Sequence, residues 1–429
     1  MSATSDLLGD RARKVSGGRP RERVALVVVL VAFFVSRGAL AWLADHPETY
    51  GPRHTSVVGD PLFYEFWAVQ VLDEQRHPYS EVRIEYPPGS LPFVFAPELT
   101  RGEDDSYRTR FIALMLVVDA LGLWGLLVVA RRRRRFLGCW LWIAALALLG
   151  PICYVRLDLV PAVATIWAIE RADARSWRAS GAALGFGALA KVYPGLLLGA
   201  MLAAARPRRA LVAGAGAVAA LFTLPFVTDL PAAVSSVAGY HLQRGIQVES
   251  TWGMLLLLAS KAGYPIEVAY EFGAFHVSSG ISPLLESLSS LSSVAVLAGV
   301  TWWAWRRVGE RVPELACVLY GLLALLLVTG SVLSPQFLIW IAALGAGALS
   351  MTSRPAPWTA LLLPAAALSQ AIYPFGYDGL LRAETPALLL LAARNLTLLV
   401  GALGVLARIR GASGAISPDW DEIPMRIRR

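Results

Sequence analysis

The chain has 429 residues, 56% of them apolar and only 16% charged, with a positive mean hydropathy of +0.54. Soluble domains are about half apolar and about a quarter charged, so both departures exclude two or three soluble domains and point to one large helical membrane protein. Most of the basic residues behind the net charge of +8 stand in short clusters between apolar runs, which argues against nucleic-acid binding and for a membrane topology signal.

Residues 1–23 form a basic tail with Arg11, Arg13, Lys14, Arg19, Arg21 and Arg23, followed by the apolar run 24–43. That run reads as a first transmembrane helix rather than a cleaved signal, because the topology needs it. Further basic clusters stand at 131–135, 171–178, 206–209, 306–311, 354 and 408–429, and together they hold most of the Lys and Arg. By the positive-inside rule they are cytoplasmic. Apolar cores at 24–43, 110–130, 136–152, 155–170, 180–192, 194–205, 210–228, 283–305, 315–331, 335–350, 357–373 and 387–407 then give about twelve crossings with both termini inside. Three large segments face outward, at 45–107, 229–282 and 374–386. The organisation is a cytoplasmic tail 1–23, a polytopic domain 24–407 with its first outer loop at 45–107, and a tail 408–429 that reads as disordered from 411.

The polar residues inside this frame need reasons. Arg37 in the first helix and Asp119 in the second both sit roughly 18 to 20 Å from the cytoplasmic side, at roughly 1.5 Å per residue. Isolated intramembrane charges are costly, so the matched depth suggests an ion pair, with a substrate role for Arg37 as the alternative. Asp60, between Gly59 and Pro61, reads as a helix N-cap with proline at the first helical position, or as a general base held open to an incoming hydroxyl. After it, Leu62, Phe63, Phe66, Trp67 and Val71 fall on one stripe, as in an amphipathic helix lying at the outer interface. Glu85-Tyr86-Pro87-Pro88-Gly89 is a rigid turn whose Glu85 and Tyr86 either orient a sugar or cap local structure.

Arg156-Leu157-Asp158, Lys191-Val192-Tyr193-Pro194, the polar run from His241 through Gln243, Arg244 and Glu249 to Ser250, and Ser334-Pro335-Gln336-Phe337 all map to the outer end of the bundle. Singly, each cation there is commonly a snorkelling side chain; together the four segments argue for an extracytoplasmic polar site. Such a site suits a substrate with a phosphate head and a lipid tail, with cations for the phosphate and a carboxylate for hydroxyl groups. The chain has no GxGxxG, no GxxxxGK[ST] and no HExxH, its five histidines lack metal spacing, and Cys139, Cys153 and Cys317 form no CxxC. Neither a metal nor a cofactor is expected.

Gly59-Asp60 with Tyr64, His77-Pro78-Tyr79 and Glu85-Tyr86-Pro87-Pro88-Gly89 resemble the first outer loop of the GT-C membrane glycosyltransferases, and more specifically glycosyltransferase family 87, the polyprenyl-phosphate-mannose-dependent alpha-mannosyltransferases. Arg156 to Ala162, Lys191 to Pro194, Gln243 to Ser250 and Leu333 to Phe337 also look like that family, so the resemblance spans roughly residues 24–407. Proline directly after Asp60 departs from the better-studied members.

The resemblance implies an all-α, polytopic GT-C-like bundle whose outer loops carry interfacial helices. It implies inverting transfer of a sugar, mannose by nearest named activity, from a polyprenyl-phosphate donor to a lipid or glycan acceptor of the cell envelope. The site would face outward from the plasma membrane. Asp60 carries over as the general base, with Tyr64, Glu85, Tyr86, Arg156, Asp158, Lys191, Tyr193, His241, Gln243, Arg244, Glu249 and Gln336 as substrate-binding candidates and Lys191 or Arg244 taking the phosphate charge. The rival readings are a lipid-carrier flippase or other transporter and a non-catalytic assembly protein. Transporters usually show internal repeats and midplane binding groups, and here the two halves share no motif.

Overall fold

A computed structural model describes residues 3–49, 57–102 and 106–412. Among the described residues six helices are long and apolar enough to cross a membrane: Glu22–Asp45, Tyr107–Arg133, Arg208–Phe226, Ser282–Arg307, Val312–Thr329 and Thr385–Ile409. The remaining expected cores are also helical but shorter, among them Leu137–Leu149, Leu159–Asp173, Trp177–Ala190, Leu198–Ala204, Leu338–Met351 and Leu362–Gln370. Six crossings are therefore carried by length and hydropathy. The first helix runs without a break from Ala3 to Asp45, so the described part of the basic tail continues the span.

Burial follows composition. Every residue of Leu338–Met351 is buried, and most of Val312–Thr329, which makes these apolar-all-round helices the centre of the bundle. Ser282–Arg307 buries only Ser282, Ser289 and Ala304 and leaves Leu284, Leu291, Val294 and Trp302 exposed, as a lipid-facing helix would. Trp177–Ala190 packs closely against Arg208–Thr223. There a side chain on Gly181 would strike the Leu211 carbonyl and one on Gly214 the Arg178 carbonyl, so small residues set the close crossing.

Arg37 and Asp119 are the ion pair their depths predicted. Arg37 Nε lies 2.8 Å from Asp119 Oδ2, Trp142 Nε1 donates to Oδ1 at 2.7 Å, the Tyr154 hydroxyl donates to Oδ2 at 2.5 Å, and Arg37 Nη1 donates to the Ile143 carbonyl at 3.0 Å. These partners bind the pair into three helices, as a structural ion pair would.

Two local expectations are corrected. The helix after residue 58 begins at Gly59, Asp60 lies inside its first turn, and no side chain caps it, so Asp60 is not an N-cap. Of the expected stripe, Leu62, Phe63 and Phe66 are exposed, whereas Trp67 is buried with Tyr64 and Ala68 on the opposite face. The helix thus has an apolar outer face and an aromatic inner one. The segment 229–282 also departs from an all-helical reading. After the helices Leu230–Gln243 and Thr251–Lys261 it forms an antiparallel hairpin, Glu267–Glu271 with Ala274–Ser278, turning on Phe272 and Gly273, both at positive φ.

Candidate active site

The hairpin, the Gly59–Leu72 helix, the 85–90 turn and the Leu230–Gln243 helix surround a cavity of about 1070 Å³ at the end of the bundle opposite the arginine-rich turn 131–135. Each wall is pinned by backbone contacts. A side chain on Gly89 would lie 2.8 Å from the Leu189 backbone, so only glycine lets the turn seat against the end of the Trp177–Ala190 helix, next to Lys191. The Tyr79 hydroxyl donates to the Tyr86 carbonyl at 2.9 Å and the Ser236 hydroxyl to the Ile84 carbonyl at 2.7 Å. Gln247 ties two of the predicted segments together: its backbone N–H donates to the Ser331 carbonyl at 2.9 Å, and its Oε1 accepts from the Leu333 N–H at 3.0 Å.

Most of the predicted residues meet here. Asp60, Tyr64, Glu85, Tyr86, Arg156, Lys191, Tyr193, Arg244, Glu249 and Gln336 all line the cavity. Asp60 is ion-paired with Arg156 and accepts from the Tyr64 hydroxyl at 3.2 Å, and Arg156 shares a further hydrogen bond with the Tyr373 hydroxyl. A carboxylate held by a guanidinium and a phenol is fixed in direction.

Three predicted residues are placed otherwise. Asp158 is fully buried and does not line the cavity; both its oxygens accept from Lys191 Nζ, at 2.9 and 3.0 Å. Gln243 is exposed and outside the cavity, and the side chain of His241 lies outside the described residues. Lys191 is correspondingly less available for a phosphate than its charge suggested. Besides Asp158 it has the rings of Tyr86, Phe337 and Trp340 at 5.2 to 5.5 Å. Arg244 differs: it rests over the Tyr240 ring at 5.2 Å, its Nε is buried without a hydrogen-bond partner, and among the described residues no acid pairs with it.

Other lining residues escaped the sequence reading. Tyr240, Tyr270, Phe275, Trp340, Tyr373 and Tyr377 supply much of the aromatic wall, and Tyr193, Trp340 and Phe337 form a stack with centroids 4.2 Å apart. A signal existed for part of this, since Tyr86, Tyr193 and Tyr373 each precede a proline. The Tyr240 hydroxyl donates to the Phe272 carbonyl at 2.7 Å beside Glu85, whose carboxyl is raised above its ordinary range by burial, against the pull of Tyr240 and Arg244. The mouth is apolar, with Leu62, Phe63, Val192, Leu196, Leu230 and Val234 all exposed along it.

Residues 85–335, well over half of the chain, match the model of glycosyltransferase family 87. No curated protein sequence matches the chain. The matched stretch holds Glu85, Tyr86, Arg156, Lys191, Arg244 and Glu249; Asp60 and Tyr64 precede it, and Gln336 and Tyr373 follow it.

Proposed function

Because the chain belongs to glycosyltransferase family 87 and is a membrane glycosyltransferase, we propose that it transfers a sugar, mannose first among the candidates, from a polyprenyl-phosphate donor to a cell-envelope lipid or glycan on the extracytoplasmic face. The observation that carries this reading is one cavity that joins a carboxylate, Asp60, to three cations, Arg156, Lys191 and Arg244, and opens through an apolar mouth. A prenyl tail lies in hydrocarbon and needs only the mouth, whereas its phosphate needs the cations.

The donor phosphate sits at Arg244, the cation with no acid partner among the described residues, with Lys191 behind it as a fixed positive charge. The acceptor hydroxyl displaces Tyr64 or Arg156 from Asp60 and gives its proton to that carboxylate. Its oxygen then attacks the anomeric carbon from the face opposite the phosphate. The bond from that carbon to the phosphate oxygen breaks, the anomeric centre inverts, and polyprenyl phosphate leaves with the charge that Arg244 compensates.

Against a transporter, the intramembrane charges pair with each other, Arg37 with Asp119, and Asp119 also accepts from Trp142 and Tyr154, which favours a structural role for them over a transport site. The deciding experiment measures transfer from radiolabelled polyprenyl-phosphate mannose to endogenous lipids in membranes carrying the wild type or Asp60→Asn. Labelled product with the wild type alone supports both enzyme and base. Equal product with both variants removes Asp60 from the chemistry. With no mannosyl product, the arabinosyl, glucosyl and galactosyl lipids are tried, and failure of all of them overturns the reading.

A further inference from the structure

The transfer chemistry leaves two acids of the cavity unused, Glu85 and Glu249, and of these Glu249 is the one with an unpaired buried oxygen. Glu249 lines the cavity and is only 2% exposed. Its Oε2 accepts from Gln247 Nε2 at 3.1 Å, while its Oε1 is buried with no hydrogen-bond partner. The turn that carries it is fixed on three sides. Gln247 is held by Ser331 and Leu333, the Val248 N–H donates to the Phe275 carbonyl at 3.1 Å, and Arg394 donates to the Glu249 carbonyl at 2.6 Å. None of these contacts uses Oε1. No ion pair joins the Glu249 carboxylate to Arg394 either, because the guanidinium is committed to the backbone, where its own Nε is left without a partner. A buried polar oxygen left unpaired in the wall of a cavity calls for a partner, and a bound substrate can supply one.

We propose that Glu249 Oε1 is the hydrogen-bond partner of a ring hydroxyl of the transferred sugar and so selects which sugar is accepted. The inference rests on the glycosyl-transfer reading above. Three features favour a sugar hydroxyl over the other parts of the substrates. The prenyl tail offers no hydrogen bond, and the phosphate is served by the cations. The acceptor hydroxyl that reacts belongs at Asp60. Burial pushes the Glu249 carboxyl up to about 7, against the opposing pull of Arg394. At and below neutral pH it therefore spends much of its time as a neutral acid, which both donates and accepts and so matches a hydroxyl. Gln247, Arg394 and Tyr373 are the polar groups that face it.

The test uses the full-length protein in membranes and a series of monodeoxy versions of whichever polyprenyl-phosphate sugar the wild type accepts. Glu249→Ala should raise the KM for the intact donor roughly tenfold, the scale of one lost hydrogen bond, with kcat little changed. One monodeoxy donor should carry the same penalty with the wild type and no additional penalty with Glu249→Ala. Glu249→Gln, which keeps an acceptor and a donor in the same place, should stay within a few-fold of the wild type for the intact donor, and it carries the test if the alanine variant fails to fold. Penalties that simply add in Glu249→Ala for every deoxy donor, or a Glu249→Gln variant that loses kcat rather than donor affinity, would overturn the proposal. A wild type that transfers no sugar from any polyprenyl-phosphate donor would instead overturn the reading beneath it.

Discussion

Lys191 Nζ stands 2.9 and 3.0 Å from the two carboxylate oxygens of Asp158, beneath the cavity and inside a cage of three aromatic rings. Breaking such a pair from one side strands a buried charge, at a cost of about 3–5 kcal/mol, whereas replacing both members with apolar residues removes the stranded charge as well. Asp158→Leu and Lys191→Met should each lower the thermal unfolding temperature of the detergent-solubilised protein markedly. The double variant should recover most of that loss. Effects of the two single changes that sum in the double variant would show that the two side chains are not coupled.

Asp60 and Arg156 form the corresponding pair within the cavity, and here the expected readout is chemistry. A general base contributes about 10²- to 10⁴-fold to such a step, so Asp60→Asn should cut the transfer rate by that range with little change in donor KM. Arg156→Lys keeps a cation beside Asp60 and should cost less than Arg156→Gln, which leaves the carboxylate held by Tyr64 alone. Single-turnover transfer with saturating donor separates the rate from binding. An Asp60→Asn enzyme with a normal rate would return Asp60 to a purely structural part.

Arg244 is the cavity cation with no described acid partner, and its loss should therefore appear in donor binding. Arg244→Gln is expected to raise the KM for the lipid-phosphate donor by about ten- to a hundredfold, the range for a hydrogen bond to a charged group. Arg244→Lys should recover part of that. Lys191→Met, by contrast, should act first on stability, because Asp158 already occupies its charge. A donor KM unmoved by Arg244→Gln would shift the phosphate to Arg156.

How much of this was legible in the sequence depended on which physical signal carried it. Helix positions were readable because hydropathy is local: the core expected at 110–130 lies within Tyr107–Arg133, and that at 335–350 within 335–351. Arg37 with Asp119 was readable because depth in a membrane helix follows residue count. The hairpin at 267–278 was not, since its two-residue turn is Phe272-Gly273 with both residues at positive φ, where Asn-Gly or Asp-Gly would have announced it. The segments that carry the charged groups of the cavity were identified, but not the 270–275 hairpin turn, Tyr373 and Tyr377 that complete its wall, nor the pairings among the charges. Asp158 beside Lys191 and Arg156 beside Asp60 join residues far apart in the chain, and nothing in a one-dimensional pattern says which cation a given acid will take.

Two groups near the cavity titrate in opposite directions and give stability a characteristic pH dependence. Burial raises the Glu249 carboxyl from its ordinary 4.5 to about 7, so the folded protein holds this proton more tightly than the unfolded chain. Its contribution is fully present below about pH 4.5 and is lost as pH rises to about 7. Burial and Arg244 lower His276 from 6.5 to about 4, so its contribution runs the other way, gained as pH rises from about 4 to 6.5. Between these limits the two oppose each other. Thermal unfolding of the solubilised protein should therefore show only a shallow pH dependence through the overlap, where the rise from His276 offsets the falls from Glu249 and Glu85. Glu249→Gln removes one falling component and leaves the rise from His276 opposed by Glu85 alone, so the variant should gain more stability between pH 4.5 and 6.5 than the wild type does. Parallel pH profiles for the two proteins would mean that Glu249 is ionised in the folded state, held by Gln247 and Arg394 as an ordinary buried anion.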